Sequence, residues 1–377
     1  MATIRIEPAL ASALRMAGQG FGAAAKPDVA AVARETGGLQ AQNPGAARLG
    51  IRARARGLRI EQVTQAYDLD RQVVTSWLMR GTLHMVPAED LRWLVAFYGP
   101  VIAAKYRTRR QELGLTEEVC AEALPLIEEV LLDSGQLTKN ELVARLVRNG
   151  LPIEQSGQAP VHLLVYAASH ALICRGPEAG PGDPTYVLLD QWIPAARELH
   201  SAEEVVLEQA RRYFGGFGPA SVADFATWAG IGLGPARQAV GRLAPELLPV
   251  EVGGAPMFLR ADPADPGAVA AALRRPAPAV RLIPVFDNYL FGYRDRALLL
   301  EPAHLGEIYL GGVARAAVVV DGRLVGTWTQ KRTAKVGTVS VQLFERPVRD
   351  IAADLAAEAA DLAGFFGLDS ALTVAGP

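Results

Sequence analysis

The segment Gly37-Gly38-Leu39-Gln40-Ala41-Gln42-Asn43-Pro44 places two side-chain amides two residues apart. In an extended backbone Gln40 and Gln42 project from one face and Ala41 from the other. Two glycines free the chain ahead of them, and Asn43-Pro44 reads as the N-cap and first position of a helix running to about Arg56. That helix carries Arg48, Arg52, Arg54 and Arg56 with no acidic residue among them. Each amide both donates and accepts, so the pair suits holding a polarised water beside a phosphate-rich ligand. The same glutamines would also serve as solvent-facing neighbours of a helix cap.

Other catalytic groups are sparse. Histidines stand at 84, 162, 170, 200 and 304, with no carboxylate or thiol set at ligand spacing, so neither a metal nor a cofactor is expected. Cys120 and Cys174 match no redox or zinc spacing, and a reducing cytoplasm follows as the expected compartment. No phosphate-cradling glycine run and no nucleophile elbow is present. The first residues do not resemble a signal peptide, and no apolar run approaches the length of a membrane span.

The 377 residues carry a net charge of −2, which on its face argues against a polyanionic partner. Charge is unevenly spread, however. Residues 1–112 hold 16 Lys and Arg against 9 Asp and Glu, a balance of +7, and the remainder holds 22 against 31. The basic residues fall in two runs, Arg48 to Arg59 and Lys105, Arg107, Arg109 and Arg110. This asymmetry points to a polyanion-binding face in the first third of the chain, although a solvated arginine-rich helix would show the same composition.

The elements that must position these residues recur in one order. Helices are expected over Ile4–Met16, Asp28–Glu35, Pro44–Arg56 and Ile60–Tyr67. A hairpin of 72–79 with 82–86 then turns at Arg80-Gly81, and a helix starts near Pro87. Helices at 116–132, 138–148 and 160–173 precede a second hairpin over 174–189. The second of these opens with the capping box Thr138 to Glu141. Helices at 202–214, 222–229 and 233–243 precede a third hairpin, turning at Gly253-Gly254. Asp262–Pro278 reads as a junction. Strands follow at 281–286, 307–310, 316–320, 323–328 and 338–344, and a helix over 347–366 closes the chain. Helices followed by a hairpin, three times over, is the winged-helix order. The expected architecture is therefore α+β, with units at 1–113, 114–200 and 201–277 and a β-rich region at 278–377.

Gly38-Leu39-Gln40-Ala41-Gln42-Asn43-Pro44, Trp77-Leu78-Met79-Arg80-Gly81-Thr82-Leu83-His84 and Ala88-Glu89-Asp90-Leu91 resemble the AlkZ/YcaQ winged-helix DNA glycosylases. Ala220 to Phe225, Pro284 to Asp287 and Val319 to Arg323 are similar to that family as well, in its order, so the likeness spans about residues 5 to 365. The resemblance implies three tandem winged-helix units on duplex DNA and a catalytic Gln-apolar-Gln element at Gln40, Ala41 and Gln42. A Gln in the second position is the AlkZ-like form, associated with bulky adducts and crosslinks in antibiotic self-resistance. The small Ala41 departs from a larger apolar residue there.

The chemistry fits that likeness. A purine alkylated at N7 or N3 is cationic and already a good leaving group, so its N-glycosidic bond breaks without a strong general acid. Placing a water near the anomeric carbon and stabilising an oxocarbenium-like state with oriented dipoles suffices. With no lysine closer in sequence than Lys26, hydrolysis leaving an abasic site is expected rather than a Schiff-base lyase step. The expected partner is double-stranded DNA carrying alkylated bases, bound by a monomer with no membrane involvement. Expected DNA contacts are Asn43, Arg48, Arg52, Arg54, Arg56, Arg80, Thr82, His84, Lys105, Arg107, Arg109 and Arg110. Tyr289, Phe291, Tyr293 and Arg294 lie in a connection of the β region open to an approach to DNA, with packing against the third hairpin as the favoured reading. The competing reading is a non-enzymatic winged-helix regulator whose glutamines contact adenine edges.

Overall fold

The computed structural model describes residues 4–22, 28–180, 182–193 and 201–376; Lys26 and His200 lie outside them. The chain divides into two compact units, one of residues 1–63 with 206–377 and the other of 64–205.

In the first unit, Pro8 decides the N-terminal structure. The expected helix over 4–16 gives way to a strand, Ile4–Ile6, and a helix, Pro8–Gly18, with Pro8 in its first turn where the missing N–H is harmless. The strand pairs in parallel with Leu247–Val252, Ile4 facing Val250, and that strand pairs antiparallel with Ala255–Arg260 across the Gly253-Gly254 turn. Ile6, Leu248, Val250, Met257 and Leu259 of these strands are buried together with Leu14 of the helix. Helices Ala202–Phe217 and Val222–Ala229 bury a cluster of rings, Tyr213, Phe214, Phe217, Phe225 and Trp228, with centroids 4.9 to 6.4 Å apart. The second helix opens with a capping box between Ser221 and Asp224.

A five-stranded sheet completes this unit, in the chain order Val280–Ile283, Ala317–Val320, Arg323–Arg332, Val336–Leu343 and Asp369–Ala375. Asp321-Gly322 makes the expected turn. The helix Ala352–Phe365 crosses over between the last two strands, which are therefore parallel. It buries Leu355, Ala359 and Leu362 against Val280, Leu282, Val339, Val341 and Trp328. The final strand is an addition to the expected order: Gly367, at φ 69, ends the helix and lets the chain turn back along the sheet edge. The segment expected as a strand over 307–310 is instead a short helix, Leu305–Ile308, followed by the two-residue strand Tyr309–Leu310.

In the second unit, Val73–Trp77 pairs antiparallel with Leu83–Pro87, and Ile173–Gly180 pairs with Asp183–Leu188. Thr75 faces Arg175, joining the hairpins into one sheet, and Gln136–Thr138 pairs with Asp183–Leu188 at its edge. Helices Leu91–Lys105 and Ala159–Ser169 approach so closely that a Cβ on Gly99 would lie 2.1 Å from the Ser169 carbonyl oxygen. Thr138 and Glu141 form the expected capping box of helix Lys139–Arg148. No helix among the described residues is long and apolar enough to cross a membrane.

Candidate active site

The glutamine segment is built by a helix that stops and a backbone that turns. After helix Val29–Glu35, Gly37 and Gly38 take φ values of 66° and 97°, a region closed to most side chains. A Cβ on Gly37 would also fall 2.7 Å from the Trp228 ring. The chain then runs extended through Leu39–Gln40. Leu39 and Ala41 are buried, Gln40 is half-buried and Gln42, in the bend after the strand, is exposed. Leu39 reaches over Gly50, where a Cβ would stand 2.9 Å from its Cδ2. Asn43 caps helix Pro44–Arg54, its Oδ1 accepting the Ala46 N–H at 3.0 Å. That bond gives Asn43 a structural role, while its side chain remains exposed.

The arginine block requires the larger correction. Arg52 is 1 % exposed and Arg54 2 % exposed, so neither reaches a phosphate. Two residues apart on a helix, they point in different directions, and each meets buried carboxylates from the C-terminal part of the chain. Arg52 donates to Glu358 at 3.2 Å, to Asp361 at 2.9 Å and to the Leu282 carbonyl at 2.8 Å. Arg281 and Arg56 reach the other Glu358 oxygen at 3.0 and 2.6 Å. Burial alone would raise the Glu358 carboxyl; Arg52, Arg281 and the bonds from Arg56 and the Leu282 N–H outweigh it and hold it below the usual carboxylate range. Arg56 keeps an exposed part while paired, and Arg48 is half-buried. A run of like charges in the sequence is thus mostly one half of a buried ion-pair network.

Arg54 joins that helix to the glutamine segment. Its two terminal nitrogens meet the two oxygens of Asp287, each at 2.8 Å, and they also donate to Gln19 Oε1 and the Gly50 carbonyl. The next residue, Asn288, is buried and takes hold of the motif itself: its Oδ1 accepts the Gln40 N–H at 2.8 Å, and its Nδ2 donates to the Gly38 carbonyl. Asp287 and Asn288 are the site residues that sequence reasoning missed. The available signal was a helix of arginines with no local acid, which needs carboxylates from elsewhere once it is buried. Tyr289 and Tyr293 are buried, donating to the Gly322 and Phe217 carbonyls.

The second unit holds the other expected contacts. Arg80, at φ 60°, and Gly81, at φ 78°, turn the first hairpin. Thr82 Oγ1 donates to the Met79 carbonyl inside that turn. Lys105 Nζ donates to the Arg80 carbonyl at 2.8 Å and Tyr106 to that of Gly81, so the end of a helix braces the turn. His84 is a core residue rather than a DNA contact. It is 1 % exposed and its Nδ1–H donates to the Thr82 carbonyl. Burial first, then the Arg80 charge, pushes its imidazole down to about 3 despite that bond. Arg110 is likewise buried, donating to the Ala103 carbonyl and lying 4.6 Å from the Tyr166 ring centre. Arg107 and Arg109 are exposed, paired with Glu117 and Glu112. Among the described residues no group of three or more His, Cys, Asp or Glu is placed to hold a metal ion.

No curated protein matches the chain. Among solved structures, the Streptomyces sahachiroi DNA glycosylase AlkZ is similar in fold, with a TM-score of 0.81 over 99 % of this chain and 100 % of that one, at 24 % sequence identity. A family model described as DNA glycosylase AlkZ-like matches residues 33–365, a span that begins just before the glutamine segment and runs through the helix bearing Glu358. The chain therefore belongs to the AlkZ-like family of DNA glycosylases, enzymes that hydrolyse N-glycosyl bonds in DNA.

Proposed function

We propose that this glycosylase releases cationic N7- or N3-alkylated purines, bulky adducts and crosslinked bases included, from duplex DNA, with Gln40 and Gln42 as its catalytic pair. One observation carries the reading: the half-buried Gln40 and the exposed Gln42 flank the buried Ala41, and the backbone of Gln40 is held by a buried side chain. Asp287, the carboxylate next to that anchor, has both oxygens committed to Arg54 and is not placed as a general base. Amide dipoles then orient the water and stabilise the oxocarbenium-like state, while the substrate's own charge supplies the leaving-group activation. Neutral bases are spared because nothing protonates them.

The DNA-binding frame in this reading is three winged-helix units, at 1–113, 114–200 and 201–277, followed by the β-rich region from 278. It is supported by the hairpins 73–87, 173–188 and 247–260, each preceded by helices. Arg48, Arg56, Arg80, Lys105, Arg107 and Arg109 supply the phosphate contacts, and the enzyme works as a cytoplasmic monomer in repair or antibiotic self-resistance. Base release from duplexes holding N7-methylguanine or uracil, by the wild type and the Gln40→Ala, Gln42→Ala variant, tests the reading. Release of the methylated base by the wild type alone, with uracil untouched and EDTA without effect, is expected. Efficient uracil excision would overturn the proposed mechanism. Binding without release would favour a DNA-binding regulator.

A further inference from the structure

One side chain holds the backbone of the glutamine segment at two points. Asn288 accepts from the Gln40 N–H at 2.8 Å and donates to the Gly38 carbonyl. Those are the two backbone groups that a residue of a parallel neighbouring strand would satisfy, straddling Leu39. A single buried carboxamide thus stands in for a strand, and it does so at the residue that bears the first catalytic amide.

Asn288 is itself held in place. Asp287 accepts the Tyr289 N–H at 2.9 Å, capping the short helix Asn288–Phe291, and is clamped by Arg54. Phe286, just before it, sits at φ 59°, an outlying conformation for a bulky residue, with its ring stacked on Phe291 at 6.4 Å. Such strain persists where the surroundings over-determine the backbone, and it gathers at functional sites. The chain from Arg54 through Asp287 therefore ends on the peptide that aims Gln40.

We propose that Asn288 is a positioning residue for catalysis, setting the direction of the Gln40 amide through its backbone without touching DNA. The inference rests on the reading that Gln40 and Gln42 carry the reaction. It makes a chemical demand that a packing role does not: position 288 must donate and accept at once. Aspartate in its place keeps the acceptor for Gln40 but turns a carboxylate oxygen toward the Gly38 carbonyl, and protonation of that oxygen restores the donor.

The test is single-turnover release of N7-methylguanine from a duplex, with a binding titration on the same DNA. The enzymes compared are the wild type, Asn288→Ala, Asn288→Asp, Gln40→Ala and the Gln40→Ala, Asn288→Ala double variant. Asn288→Ala should slow release by ~10- to 100-fold, the usual cost of a displaced catalytic group, with affinity within about threefold. The double variant should be no slower than Gln40→Ala, because both changes remove one interaction. Asn288→Asp should gain on the wild type as the pH is lowered. Normal release by Asn288→Ala, multiplying losses in the double variant, or a pH-independent ratio for Asn288→Asp would each overturn the positioning role while leaving the glutamines standing. Normal release by Gln40→Ala would instead overturn the catalytic reading beneath it. If Asn288→Ala does not fold, the pH ratio of Asn288→Asp decides the matter.

Discussion

Replacing Arg54 with alanine separates a structural arginine from a DNA-binding one. The substitution removes a guanidinium whose two nitrogens lie 2.8 Å from the oxygens of Asp287, both side chains being almost wholly buried. It leaves the Asp287 carboxylate in the interior with the Tyr289 N–H. Breaking a buried pair by deleting one partner typically costs ~3–5 kcal/mol, chiefly through the charge left behind. At ~2–4 °C per kcal/mol for a unit of this size, the melting temperature should fall by roughly 6–20 °C. The Arg54→Ala, Asp287→Ala double variant should recover part of that loss, because it removes the stranded charge. Scanning calorimetry reads both effects. Binding of undamaged duplex across a salt series should show an unchanged slope for Arg54→Ala at temperatures where the variant is folded. A melting shift below ~2 °C together with a slope flattened by ~0.9, the signature of one phosphate contact, would refute the buried-pair account.

The exposed arginines should behave oppositely: Arg107→Ala and Arg109→Ala should each flatten the log-affinity against log-salt slope by up to ~0.9 and leave the melting temperature within a degree or two. Stability should fall with acid through two groups. Glu358, whose carboxyl is held below its usual range, contributes stability above its unfolded value that is lost as the pH falls through the folded one. His84, buried neutral with its imidazole pushed down to about 3, binds a proton more readily when unfolded, so stability declines from about pH 6.5 downward. His84→Phe should therefore flatten the melting-temperature profile between those values, and an unaltered profile would show that the buried imidazole does not govern it.

Local signals were legible in the sequence and distant ones were not. The hairpin at Arg80-Gly81, the Asp321-Gly322 turn and the capping box at Thr138 rest on residues a few positions apart, and the structure has all three. The alternation of Gln40, Ala41 and Gln42 was likewise a matter of period. The strands Ile4–Ile6 and Asp369–Ala375 escaped the reading because a parallel pairing depends on partners far along the chain. The arginine block shows the same limit at the site. Charge counting could not tell that Arg52 and Arg54 face carboxylates more than 200 residues later, since burial of a helix face is a property of the assembled core. Asn288 was out of reach for that reason too, its bond to Gln40 spanning 248 residues.

The central claim is that Gln42 acts on the transition state and not on DNA affinity. Gln42 is exposed and uncharged, and non-specific affinity rests on phosphate contacts. Single-turnover release of N7-methylguanine and a binding titration, on one duplex and with Gln42→Ala against the wild type, measure the two effects side by side. The account predicts release slowed by at least ~10²-fold, the loss expected for one oriented group, with affinity changed by less than about threefold, under ~0.7 kcal/mol. Equal losses in both would make the glutamine a reader of DNA, and undiminished release would make it a bystander beside a helix cap.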